Sequence, residues 1–453
     1  MVRKRRYGFV KPHLVALFTV VDGLGSLVAA VTRLPDRRRW PHDPRRILLV
    51  NFGHIGDLLM ITPVLRFLRA NYPAAKIAVL AGPWSKDVLA ACPYLDEILV
   101  FRPSWWDRQN AAYHRLSELL ALVKLLRRGR FDLSVNFKSF LQENLCLWLA
   151  RIPVRVGYSI YGGGFFLTRQ VEYNWRAHTV EQNMALVAAA RPVGESLADS
   201  LPVMPMATDN RVRLAWNCPP EAPAKASASL PPALDVEALA GFGPYANHLK
   251  PEMFVFEEDL VAAMDFLRAN LGGEPLAEDP VPPLIAFHIG AGYPSKLWGE
   301  EKYAALADVL ATKWGARILV VGGPDDVELI GRMQNLCYAR LIVAAGRLSI
   351  RQMAAVLAHC RLFVGNDSGP AHIAAAIGLP TVAIFSGEND ASVWRPYADS
   401  SVVIQHRPVC YPCGKRNCDR DHECMAKITV EEVSACVEKC FGPVLPQDGR
   451  HST

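Results

Sequence analysis

Residues 47–57 read ILLVNFGHIGD, an unbroken apolar run from Ile47 to Asn51 followed by Gly53, His54, Gly56 and Asp57. A strand buried on one face alternates apolar and polar residues. One buried on both faces does not, and that second pattern belongs to parallel sheets. The glycines permit a tight turn, and a helical pattern runs from Leu58 to Ala70. The unit is strand, tight turn, helix. Outward from it the alternation continues with strands at Lys76–Ala81, Glu97–Phe101 and Phe131–Val135, and helices at Trp84–Ala91 and within Ala111–Leu126. It stops near Arg191 and resumes with strands at Leu284–His288, Ala316–Val321, Leu341–Val343, Leu362–Asn366, Thr381–Phe385 and Ser401–Ile404. The intervening helices are expected at Gly299–Trp314, Asp325–Asn335, Ser349–His359, Gly369–Ile377 and, last, Thr429–Lys439. Such alternation predicts α/β architecture: two doubly wound, Rossmann-like domains facing a cleft at the carboxyl ends of their strands. The expected divisions are a basic and apolar helical arm over 1–44, a first domain over 45–191 and a Pro/Ala-rich irregular segment over 192–282. A second domain over 283–445 follows. Only one helix, within Glu257–Leu271, stands out in the irregular segment.

The chain has 453 residues, 51% hydrophobic and 21% charged, with a mean hydropathy of +0.11. That apolar content excludes general disorder, and a chain of this length buries full cores. Net charge is +6, but residues 1–46 alone carry eleven Lys/Arg against Asp22, Asp36 and Asp43, so the body is slightly acidic. A basic arm on an acidic body does not describe a nucleic-acid-binding surface. It fits a membrane surface. Leu14–Val31 is an apolar run interrupted by Asp22, Gly23 and Gly25. It is open to being a cleaved signal, a span, a membrane-lying helix or a helix packed on the body. We favour peripheral attachment, because a central Asp opposes insertion.

Four strand-to-helix loops carry polar residues. In the first, Asp57 stands at a helix start, either as a cap or as a base for a hydroxyl proton, with Gly53, His54 and Gly56 around it. The loop is not a GxGxxG fingerprint. The second holds His288, Gly290, Ser295 and Lys296 and suits a phosphate. In the third, after Gly322-Gly323, Asp326 and Glu328 either complement a helix dipole or bind ribose hydroxyls. The fourth, Asp367-Ser368-Gly369-Pro370-Ala371-His372, places free N–H groups at a helix start, where a diphosphate fits. One carboxylate in one domain and an anion-binding set in the other is the layout of a transferase using a nucleotide-sugar donor.

In this order GHIGDLLMITP, HIGAGYPSKLW, GGPDD and GNDSGPAHIAAAIGLPTVAIF resemble glycosyltransferase family 9, whose best-known members are ADP-heptose:lipopolysaccharide heptosyltransferases. The resemblance runs from about Arg45 to Phe441. It implies a GT-B fold and inverting transfer from a nucleotide sugar, ADP-heptose in the first instance, to a lipid-linked glycan such as a lipopolysaccharide core. It implies Asp57 as general base, Lys296, Ser368 and Gly369 at the donor phosphates, and Asp326 or Glu328 near the ribose. No cofactor or catalytic metal is expected. A lipid-linked acceptor would place the enzyme at the cytoplasmic face of the inner membrane, peripherally or through its N-terminus. Many members carry a threonine where this chain has Ser368. The arm and the Pro/Ala-rich stretch are not matched.

Of eleven cysteines, Cys410-x2-Cys413-x4-Cys418-x5-Cys424 is a cluster that reads as a metal site, two disulfides or a reduced loop. Two other functions remain open on residues alone. One is a nucleotide-sugar epimerase of similar fold. The other is a non-catalytic membrane scaffold or metal module built on the arm and the cysteines.

Overall fold

The computed structural model describes residues 12–32, 43–106, 116–188, 210–214, 249–271 and 282–441. The basic clusters within 1–11 and 33–42, Cys218, the expected helical residues 111–115 and most of the Pro/Ala-rich stretch lie outside the described residues. The chain divides into two compact units, Met1–Arg211 with Leu234–Phe254, and Val212–Ala233 with Val255–Thr453.

In the first unit, strands β1 (Arg46–Val50), β2 (Lys76–Ala81), β3 (Glu97–Val100), β4 (Leu133–Asn136), β5 (Val154–Tyr158) and β6 (Arg169–Val171) form one parallel sheet. Its order is β3-β2-β1-β4-β5-β6. Ile47, Leu48, Leu49 and Val50 are at most 2% exposed, as an apolar strand between two helical layers requires. The helices are α1 (Pro12–Thr32), α2 (Ile55–Leu59), α3 (Thr62–Asn71), α4 (Leu116–Gly129), α5 (Leu141–Leu149) and α6 (Thr179–Ala188). The helix expected over Leu58–Ala70 is thus two helices. Pro63 has no N–H to continue the ladder and takes a first-turn position of α3, while the Thr62 hydroxyl donates to the Leu59 carbonyl at 2.8 Å. The helix expected at Trp84–Ala91 is a single 3₁₀ turn, Lys86–Val88. Trp84 Nε1 and Ser85 Oγ are instead tied to the Gly53 carbonyl, at 3.1 and 2.9 Å.

The second unit repeats the plan with β7 (Leu284–His288), β8 (Arg317–Val320), β9 (Leu341–Val343), β10 (Leu362–Asn366), β11 (Thr381–Phe385) and β12 (Ser401–Gln405). The order is β9-β8-β7-β10-β11-β12, again all parallel. Its helices are α7 (Glu257–Leu271), α8 (Glu300–Trp314), α9 (Val327–Gln334), α10 (Ile350–Leu357), α11 (Gly369–Ala376), α12 (Ala391–Trp394), α13 (Glu423–Ala426) and α14 (Val430–Phe441). No sequence repeat announces this shared topology. The expected irregular segment 192–282 is not one body. Residues near 252 belong to the first unit, where buried Glu252 pairs with Arg66 at 2.8 Å and its amide donates to the Thr62 hydroxyl at 2.9 Å. α7 belongs to the second unit, held by Asp259 to Arg351 of α10 at 2.8 Å.

Among the described residues no helix is long and apolar enough to cross a membrane. α1 has the length, but Asp22, two glycines and His13 dilute its apolar character.

In each sheet the strand order reverses between its two central strands, β1 and β4 or β7 and β10. Helices leave on opposite faces there, so the loops part and open a crevice at the carboxyl ends. Those four loops hold Asp57, Lys138, Lys296 and Asp367–His372, while Asp326 follows β8 and Glu388 and Asn389 follow β11.

Candidate functional site

At the first switch point a buried asparagine follows or ends each central strand. Asn51 donates to the Asp57 carbonyl at 3.1 Å and accepts from the Gly53 amide at 3.0 Å. Asn136 accepts the Ser139 amide at 3.0 Å. These bonds fold both loops tightly. Gly53 is required by close approach, since a Cβ there would stand 2.3 Å from Cβ of Asp57. Asp57 does two things at once. One carboxylate oxygen accepts the His54 amide at 2.8 Å as a helix cap. The other accepts from Lys138 Nζ at 2.5 Å. Lys138 comes from the loop after β4, where Ser139 sits at φ +54°, an uncommon conformation for a non-glycine residue, fixed by Asn136 and by the Tyr158 amide. Burial works against both charges, but each group's partner outweighs it. Asp57 is held below the usual carboxylate range and Lys138 above the usual ammonium range. The bland cap reading and the functional one are both physically present in the same side chain.

Half-buried aromatic rings surround this pair. The His54 ring lies 6.4 Å from those of Trp84 and Trp106, and Phe140 stacks on Tyr161 at 4.4 Å. Gly56 is buried in the first turn of α2.

At the second switch point Lys296 Nζ lies 2.6 Å from Asp367 and 3.3 Å from Glu388. Burial disfavours its charge, and the two carboxylates more than compensate, raising its pKa. Asn389 also donates to Asp367, at 2.9 Å. Ser368 is the N-cap residue of α11, yet it makes no side-chain cap. Its hydroxyl lies 2.9 Å from His288 Nδ1. The first N–H groups of α11, from Gly369 and after Pro370, therefore keep their capacity for an anion. Asp326 lies 3.5 Å from the other ring nitrogen of His288, Nε2. Gly290 makes room for it, since a Cβ there would fall 1.9 Å from Oδ1 of Asp326. Burial tends to raise the Asp326 pKa, but His288 and the Gly323 amide lower it overall. His372 is half-buried one turn into α11.

Two expected donor ligands stand elsewhere. Ser295 is buried with its hydroxyl donated to the Lys415 carbonyl at 2.7 Å and its amide to the Arg416 carbonyl at 3.1 Å. Glu328 points to solvent and pairs with Arg332, one turn along, at 3.0 Å. Of the two acids proposed for ribose, only Asp326 is grouped with His288 and Gly290.

The cysteine-rich loop forms a wall of this site. Cys413 and Gly414 donate backbone bonds to Gly387 and Glu388, at 3.0 and 3.1 Å, and Arg416 lies over the Tyr293 ring at 5.2 Å. Cys410, Cys413, Cys418 and Cys424 are free thiols, and among the described residues no group of three or more His, Cys, Asp or Glu is placed to hold a metal.

A model of glycosyltransferase family 9 (heptosyltransferase) matches residues 240–423, which include Lys296, Asp326 and the whole of Asp367–His372. Relatives extend the match beyond that segment. The lipopolysaccharide heptosyltransferase 3 of Escherichia coli is 24% identical over 85% of this chain and 96% of its own length. The lipopolysaccharide heptosyltransferase 2 of Salmonella typhimurium is 26% identical over 80% and 88%. The chain is similar to glycosyltransferase family 9 along most of its length. Solved structures agree on the GT-B fold of the transferase. A family 9 protein from Veillonella parvula superposes with TM-score 0.66 at 20% identity, covering 89% of this chain and 99% of that one. The E. coli ADP-heptose lps heptosyltransferase II gives 0.59 at 21%, covering 86% and 97%. The likeness to these transferases makes the protein a glycosyltransferase enzyme and removes the scaffold reading.

Sequence reasoning missed Lys138, Glu388 and Asn389. Lys138 had a signal. It lies in the loop after the strand that pairs with β1, so it shares the switch point with Asp57. Glu388 and Asn389 follow β11 and had none, because only the folded loop carries them to Lys296.

Proposed function

We propose that the protein moves a sugar, with inversion, from a nucleoside-diphosphate sugar to a hydroxyl of a lipopolysaccharide core or similar lipid-linked glycan. ADP-heptose is the first donor to test, because the relatives are heptosyltransferases. The work is done at the cytoplasmic face of the inner membrane, with the protein peripheral to it. The observation that carries this reading is the pairing of one ionised carboxylate, Asp57, with Lys138 in one unit and of a cation and uncapped helix start, Lys296 and Gly369, in the other.

Asp57 takes the proton of the acceptor hydroxyl as its oxygen attacks the anomeric carbon and the bond to the diphosphate breaks. A single displacement with one base inverts that carbon. Lys296 and the amides at Gly369 receive the charge that develops on the departing diphosphate. Asp367, Glu388 and Asn389 offer acceptors and a donor to sugar hydroxyls, and Asp326 to the ribose. Screening ADP-, GDP- and UDP-sugars with product mass and anomeric configuration tests the reading. Transfer from ADP-heptose with inversion is expected, and a retained anomer or no transfer from any nucleotide sugar would sink it.

Lys138 keeps Asp57 ionised. In the parent, turnover should stay flat as pH falls until below the usual carboxylate range, then drop as Asp57 is protonated. In Lys138→Met the burial that raises the Asp57 pKa is opposed by His54 alone, so the acid limb moves to higher pH. A pH–rate profile of that variant superimposable on the parent's would show that Lys138 does not set the base.

A further inference from the structure

α1 is docked on the first unit by its polar and small residues. Asp22 is buried and accepts the Gly163 amide at 2.8 Å. The Phe165 ring occupies the space at Gly25, where a Cβ would meet it at 2.3 Å. The residue that opposes membrane insertion in the sequence therefore points inward. The outer side is apolar: Leu17, Val20, Leu24 and Leu27 are 54–64% exposed. Their spacing of three, four and three residues makes one stripe along the helix. From Pro12 to Thr32 Asp22 is the only acidic or basic side chain other than His13.

The same unit carries a second exposed apolar patch, on α4, reached through packed neighbours. Phe165 packs on Phe166, and Phe166 on Trp148 of α5 at 5.3 Å. At the end of α5 the Leu149 carbonyl accepts from Arg127 of α4 at 2.9 Å. α4 exposes Leu116 and Leu120, and beyond them Leu120, Val123, Lys124, Arg127, Arg128 and Arg130 line a shallow pocket. In the α4 patch exposed leucines therefore stand next to a basic pocket. A second copy of the chain would bring like charges together. An anionic surface complements them.

The geometry points to an anionic phospholipid surface as the occupant. The α1 stripe lies in the plane of the headgroups with its leucines in the acyl boundary, and the α4 pocket receives headgroup phosphates. This assigns a face to the peripheral location proposed above and rests on that reading for its purpose, but the binding itself needs neither donor nor acceptor.

The test is co-sedimentation of the full chain with vesicles of phosphatidylglycerol in phosphatidylcholine, and of phosphatidylcholine alone. Binding to the anionic vesicles, weakened by salt, is expected. The variant Leu17→Ser/Val20→Ser/Leu24→Ser/Leu27→Ser should lose about tenfold or more in vesicle affinity. Lys124→Ala/Arg128→Ala/Arg130→Ala should lose affinity for the anionic vesicles. Turnover on a water-soluble acceptor fragment should match the parent in both, which separates failure here from failure of the transferase reading. Parent-like vesicle binding by the stripe variant overturns the proposal. So does a parent dimer, seen by light scattering, that becomes monomeric in that variant without any vesicle binding, because the stripe then belongs to a second copy.

Discussion

Asp57→Asn is expected to lower turnover by about 10²–10⁴-fold, the usual contribution of a positioned general base. The substitution is nearly isosteric, and the amide oxygen still accepts the His54 N–H, so the start of α2 keeps its cap. What is lost is the charge that takes the proton. Nucleotide affinity should stay near that of the parent, since the donor set is built on the other unit. One complication has a physical size. Lys138 is left buried without its partner, and breaking a buried pair on one side costs about 3–5 kcal/mol. The double variant Asp57→Asn/Lys138→Met removes both charges and the penalty with them. Thermal unfolding should recover in the double variant while turnover does not. If turnover also recovers, or if the single variant keeps a rate within tenfold of the parent, Asp57 is a cap and the base lies elsewhere.

The parts of this molecule that could be read from sequence are those whose cause is local. A strand buried on both faces needs consecutive apolar residues, so β1, β7, β10 and β11 announced themselves. Glu257–Leu271 was legible for the same reason, its amphipathic pattern standing out from a Pro/Ala-rich background. Asp57, Lys296, Asp326 and Asp367 were legible because each follows such a strand. What was not legible depends on strand order. The helical pattern through Leu58 hid the break at Thr62-Pro63, and the Trp84 indole was given to the Gly53 carbonyl rather than to a helix. Ser295 looked like a phosphate ligand from its neighbours, but the cysteine-rich loop, more than a hundred residues later, takes its hydroxyl. Glu328 shares the helix turn of Asp326 and was indistinguishable from it until the helix was placed, whereupon it faced water. Asp22 shows the same limit in reverse. Read alone, a carboxylate in an apolar run argues about membranes, whereas in the fold it is a hydrogen-bond acceptor for a backbone amide and turns the apolar stripe outward.

The second large effect is at Lys296. Its ammonium is shared by Asp367 and Glu388, which hold it charged and aimed. Those two carboxylates repel a diphosphate, so binding relies on Lys296 and on the α11 amides to offset them. The need is greatest when the bond to the sugar breaks and the diphosphate gains charge. Lys296→Met is therefore expected to lower kcat by about 10²–10³-fold, the range for removing one donor from a site of developing charge. Affinity for the free nucleoside diphosphate should fall by more than affinity for the intact nucleotide sugar, because the product carries the greater charge. Isothermal titration of nucleoside diphosphate and nucleotide sugar, beside steady-state rates, reads both effects. A variant with the parent's kcat and only a raised KM would show that Lys296 grips donor and transition state equally, and the stabilisation of the leaving group would then have to come from the start of α11 alone.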